Sequence, residues 1–105
     1  MNIVVDDEVL EFDWDEGNHE KNWIKHNVQA QEAEEAFADE KKIVFLNIKH
    51  VDTEERFFLI GNTYTNRLLA IAYTRREDSV RVISARDANK KEVKIYEERT
   101  RSTEI

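Results

Sequence analysis

The chain has 105 residues, no Cys, no Pro and two Gly, with 40% hydrophobic and 37% charged residues, which fits one small domain over 1–105 and excludes a second core. Leu, Ile, Val and Phe make up about 27% of it, above the roughly 20% below which a charged chain stays disordered, and no apolar run nears the roughly 18 residues that cross a bilayer. The net charge of -7 speaks against a generic nucleic-acid binder, yet it divides into -11 over Met1 to Glu55 and +4 over Arg56 to Arg99, so a local anion site stays open.

Val9 to Asp13 alternate weakly, which predicts a short strand or extended entry. A first helix is expected over Asp15 to His26: Asp15 and Glu16 complement its N-terminus, Lys25 and His26 its C-terminus, and Asn27 tolerates the left-handed conformation that closes it. Trp23 is its expected core anchor, and Trp14 is also read as core. The second helix runs from Gln29 to Ala38 on the apolar stripe Ala30, Ala33, Ala36 and Phe37, and Asp39 to Lys42 end it.

Strand character then takes over at Ile43 to Ile48, Arg56 to Gly61, Leu68 to Thr74 and Val80 to Ala85. Polar turns at Asn62 to Arg67, with Asn66 as the turn residue, and at Arg75 to Ser79 join the last three as an antiparallel meander. Asp87 is the expected cap of a C-terminal helix carrying Val93 and Tyr96 at i, i+3, fraying from Thr100. The expected class is α+β: an antiparallel sheet of about four strands with two N-terminal helices and a C-terminal helix.

The residues narrow the chemistry. His19 and His26 lie seven apart, roughly 10 Å along a helix, and Trp23 rather than a third ligand stands between them. His50 with Asp52 makes a weak loop pattern, so no metal is expected. Without Cys, a Gly-x-Ser-x-Gly elbow or a Gly-rich phosphate loop, nucleophilic triads and nucleotide cofactors are not expected either. What stands out is a set of cations, Arg56, Arg75, Arg76, Arg81 and Arg86, spread along the strands. Simple alternation sets Arg81 and Ile83 opposite Val80 and Val82, leaving some guanidinium groups on one face and others at the rim. They read either as a salt-bridged surface or as a phosphate-binding face.

The order Phe12-Asp13-Trp14-Asp15, Asn22-x-x-Lys25-His26 with Val28, Glu55-Arg56-Phe57 with Ile60-Gly61, Leu68 to Thr74 with Arg76, Arg81-Val82-Ile83-Ser84-Ala85-Arg86-x-Ala88, Glu92 and Tyr96 resembles the BrnT family of toxins. The resemblance covers about Phe12 to Tyr96. It departs from the family pattern at Asn18, where a Lys is usual, at Asn27 in place of Gly, and at Ala30 in place of an aromatic.

The resemblance implies a RelE/ParE-like fold and a metal-independent, cofactor-free endoribonuclease that arrests translation. Its implied catalytic residues are Lys25, His26, Arg56, Arg86 and Tyr96, with Arg75, Arg76, Arg81 and Ser84 on the RNA. Cleavage by the RNA's own 2′-hydroxyl suits such a set, since it needs proton transfer and cations around phosphorus. Glu92 is expected as the partner of an arginine. The implied partner is a ribbon-helix-helix antitoxin of the BrnA type, through which alone promoter DNA is met. The alternative is a toxin-like domain that has lost catalysis and binds an antitoxin or repressor. The opening residues lack a basic start and a small-residue cleavage site, and with no Cys the expected location is cytoplasmic, away from any membrane.

Overall fold

A computed structural model of the chain describes residues 2–4, 11–14, 26–47, 56–76 and 79–103. In chain order these form β1 (Asn2–Val4), β2 (Glu11–Phe12), α1 (Ala30–Ala38), β3 (Ile43–Asn47), β4 (Arg56–Asn62), β5 (Leu68–Arg76), β6 (Ser79–Asp87) and α2 (Lys90–Thr103). The four runs of β-branched and aromatic residues pair as expected, β3 to β4 to β5 to β6, all antiparallel.

Both edges correct the expectation of about four antiparallel strands. β1 adds antiparallel to β3, and β2 adds parallel to β6, so the sheet has six strands in the order β1-β3-β4-β5-β6-β2 and is mixed. β2 falls within the strand or extended entry expected at Val9 to Asp13, whereas β1, of 3 residues, is too short for alternation to reveal. β5 and β6 also run further than expected, taking Arg75, Arg76 and Ser79 into the ladder and leaving residues 77–78 as the connection. Asn66 turns the β4–β5 hairpin at φ 66°, as its residue type suggested.

The described residues contain two helices rather than three. The first expected helix lies outside them except for its end, where His26 is helical and Asn27 takes φ 56°. Trp23 and His19 likewise fall outside, as do His50 and Asp52. Neither described helix is long and apolar enough to cross a membrane.

α1 covers one face of the sheet. Its Ala33, Ala36 and Phe37 pack with Val28, Val44, Leu59, Leu69, Ile71, Tyr73, Val80, Val82 and Ala85, each large aliphatic contributing about 1.5–3 kcal/mol on burial. Phe37 meets Tyr73 edge-on at 4.8 Å and Phe12 at 5.1 Å, so β2 brings Phe12 and Trp14 against the same core. α1 comes so close to β4 that a Cβ at Gly61 would lie 2.5 Å from the Ala36 carbonyl oxygen. α2 covers part of the opposite face, where Tyr96 and Ile95 pack with Ile43, Ile60, Phe45, Phe58 and Leu68.

One irregularity decides which residues share that second face. Tyr73 pairs with Val82 but Ala72 pairs with Ser84, so β6 carries one extra residue, Ile83, at a β-bulge. Before the bulge the odd positions Ser79 and Arg81 face away from the α1 core; after it the even positions Ser84 and Arg86 do. Simple alternation would have put Arg81 and Arg86 on opposite faces.

Candidate functional site

The register of β4, β5 and β6 sets out three cross-strand rows on the face shared with α2. Arg56, Thr74 and Arg81 form the first, Phe58, Ala72 and Ser84 the second, and Ile60, Ala70 and Arg86 the third. α2 seals the Ile60 side. The floor between the guanidinium groups is made of small side chains, Ala70, Ala72 and Ser84, with the half-buried Phe58 ring beside them. Cations around a shallow, partly apolar floor suit an oxyanion attached to a planar group.

Arg86 is the most firmly placed of the cations. Its Nη1 and Nη2 donate to the two Glu92 carboxylate oxygens at 2.7 and 3.0 Å, Nη1 also reaches the Asp87 carbonyl at 3.2 Å, and the guanidinium carbon sits 5.9 Å from the Phe58 ring centre. Glu92 is itself fixed by the start of α2. Its carboxylate accepts the Asn89 backbone N–H at 2.9 Å while Asn89 Oδ1 accepts the Glu92 N–H at 2.9 Å, a reciprocal capping box. Asn89 therefore takes the place expected of Asp87. Burial pushes the Glu92 carboxyl up, but the Arg86 and Asn89 bonds outweigh it and hold it below its ordinary value; the same pair raises Arg86 further.

Asp87 does not cap because Arg67 claims it. Arg67 donates through Nε to Asp87 Oδ1 at 2.6 Å and through Nη2 to Oδ2 at 3.1 Å. It also bonds Glu32 of α1 at 3.1 Å and the carbonyls of Asn27 at 2.9 Å and His26 at 3.1 Å. Arg67 thus ties β6 to α1 and to the backbone of His26 and Asn27, and its hydrogen bond holds the Asp87 carboxyl below its ordinary value. Nothing in the turn Asn62 to Arg67 marked this residue out in the sequence.

The expected site residues are partly brought together. Arg56, Arg81, Ser84 and Arg86 share the open face. Arg81 reaches Asp13 at 4.0 Å, both side chains being well exposed. Arg75 pairs with Val80 and so belongs to the other face, and Arg76 pairs with Ser79 at the hairpin end. His26 is exposed and lies at the end of β6 that carries Arg86, held through its carbonyl by Arg67 and close enough to Asp87 to act on it electrostatically. Lys25 is outside the described residues.

Tyr96 is not on the open floor. It is buried beneath α2 and donates its hydroxyl to Asp39 Oδ2 at 2.7 Å. Burial first, then the Asp39 carboxylate, push it up to about 12. Asp39 Oδ2 also accepts the Asn62 N–H at 2.9 Å and Oδ1 the Lys41 N–H at 3.0 Å, so this carboxylate joins the end of α1 to β4 and α2. Among the described residues no three His, Asp or Glu side chains converge as metal ligands.

An α+β domain that turns three guanidinium groups, an aromatic ring and a floor of small residues out of one sheet face has the chemistry that suits a polyanion. The family described as the ribonuclease toxin BrnT of type II toxin-antitoxin systems matches residues 14–92, about three quarters of the chain, and the chain belongs to that family. Membership makes RNA its substrate class and an antitoxin its partner. No curated protein matches it.

Proposed function

We propose that the chain is a metal-independent endoribonuclease that arrests translation in the cytoplasm, built on a RelE/ParE-like plan and neutralised by a BrnA-like ribbon-helix-helix antitoxin. Promoter DNA is met through that antitoxin alone. The observation that carries the reading is the bulge-directed gathering of Arg56, Arg81 and Arg86 around Ala70, Ala72 and Ser84 on one face. In the reaction the RNA 2′-oxygen attacks the adjacent phosphorus, the bond to the 5′-oxygen breaks, and a 2′,3′-cyclic phosphate and a 5′-hydroxyl result. One proton leaves the 2′-hydroxyl and one reaches the 5′-oxygen.

Arg86, locked in orientation by Glu92, is the group assigned to the charge that builds on phosphorus. Arg56 and Arg81 at the far end of the face hold the backbone, with Ser84 between. His26 and Lys25, at the Arg86 end of the sheet by position and by sequence, are assigned the proton transfers. Tyr96, committed to Asp39, is assigned to the fold.

Induced expression of the chain is expected to stop growth, and purified protein to cleave RNA undiminished by a chelator. Arg86→Ala is expected to lower cleavage by about 10²–10³ and to relieve the arrest while leaving the protein folded. A folded wild-type chain that leaves RNA and growth untouched would sink the proposal. It would support the second reading, a module that binds antitoxin without catalysis, which is favoured by the engagement of the Tyr96 hydroxyl with Asp39.

A further inference from the structure

Thr74 occupies the middle of the Arg56, Thr74 and Arg81 row, directly opposite both arginines. Its residue is 3% exposed, and its hydroxyl has no hydrogen-bond partner among the described residues. Thr63, equally buried at 5%, shows the usual arrangement: its hydroxyl meets Thr65 Oγ1 at 3.1 Å and accepts the Arg67 N–H at 3.0 Å. A buried hydroxyl left unpaired destabilises a fold, and valine would fill the same space without that penalty. The position therefore carries a donor that the fold does not use, set between two cations. Arg56 makes no ion pair among the described residues, and Arg81, its side chain 40% exposed, lies 4.0 Å from Asp13.

We propose that Arg56, Thr74 and Arg81 form a phosphate subsite for the RNA backbone, one that holds a linkage other than the one at Arg86. The proposal rests on the RNA-binding reading of this face. A hydroxyl donor flanked by two guanidinium forks matches the several oxygens of a phosphodiester. Thr74 lies four residues along β5 from Ala70, the neighbour of Arg86, about 13 Å at strand spacing, and Glu92 holds the Arg86 fork in place. One phosphate does not bridge that distance. The face therefore takes a single strand with at least two phosphates, and the first row acts on affinity.

The test measures binding of a 2′-O-methyl RNA oligonucleotide, which the proposed reaction cannot cleave, together with thermal stability. For Thr74→Val the melting temperature is expected to stay the same or rise while Kd weakens roughly tenfold or more, and Thr74→Ser restores binding. Arg81→Ala, a change at an exposed side chain, is expected to reduce the slope of log K against log salt by about 1. Unchanged affinity in Thr74→Val would overturn the subsite, as would a loss that serine does not restore. If Thr74→Val does not fold, an unchanged salt slope in Arg81→Ala overturns it. Should wild type cleave RNA while these variants bind normally, the subsite fails and the ribonuclease reading stands. Should wild type bind the oligonucleotide without cleaving natural RNA, that reading fails while the binding comparison still decides the subsite. A wild-type chain that does not bind the oligonucleotide overturns the subsite together with the RNA-binding reading of the face.

Discussion

Arg86 and Glu92 meet through two hydrogen bonds of 2.7 and 3.0 Å, joining the end of the last strand to the first turn of α2. The same carboxylate completes the cap with Asn89. Glu92→Ala removes both the fork and the cap, and is expected to lower stability by about 1–3 kcal/mol. Glu92→Gln keeps an acceptor and should cost less. In the folded Gln variant the loss of activity is expected in kcat rather than KM, because Arg86 loses orientation; denaturant titration and steady-state kinetics check the two effects.

Acid should weaken the fold in a defined window. Glu92 is held below its ordinary value of 4.5 by Arg86 and Asn89 against the opposing effect of burial, and Asp87 below 3.8, chiefly by its hydrogen bond from Arg67. A depressed carboxyl stabilises the folded state fully above its unfolded value, and that contribution is lost as pH falls through the folded value. Stability is therefore expected to be insensitive to these two groups from neutral pH to about 4.5 and to decline below it. Glu92→Gln should flatten part of that decline, which unfolding curves across the acid range would show.

Arg67→Ala should be among the more damaging changes at a half-buried position, costing about 2–4 kcal/mol through loss of charge-assisted bonds to Asp87 and Glu32 and of the bonds to two carbonyls. Arg67→Lys keeps the charge without the planar fork, and is expected to recover less than half of the loss. Amide exchange at the end of β6 and at the start of α1 should quicken in both variants.

Tyr96→Phe should act on stability. Losing the hydroxyl that donates to Asp39 is expected to cost about 1–2 kcal/mol, while the cleavage rate per folded molecule is kept. A hundredfold fall in kcat in a folded Phe variant would return Tyr96 to the chemistry.

The centre of the fold was legible because its signals are local. Ile43 to Ile48 and Leu68 to Thr74 advertise strands through β-branched and aromatic residues, Gln29 to Ala38 a helix through its alanine stripe, and Asn66 a turn through its residue type. What was hidden depends on contacts distant in the chain. β2 is two residues long and pairs in parallel with a strand some 70 positions away, and the cap expected at Asp87 passes to Asn89 because Arg67 takes the Asp87 carboxylate. At the site, the arginines were visible as residue types, but their sharing of a face was not. Thr74 left a faint mark, a hydroxyl closing an apolar run, with no indication that it would be buried without a partner.

Ile83 makes the length of β6 a functional quantity. Deleting that one residue would restore strict two-residue alternation with Val82 and Ala85 still inward and Ser84 and Arg86 still outward, removing the bend of the bulge but not the shared face. A relative whose strand is one residue shorter would keep both cations on one side with no bulge, whereas a strand of this length without the bulge would send Arg86 to the other side. Residue count and bulge therefore compensate each other, and only a change in one without the other parts the two arginines.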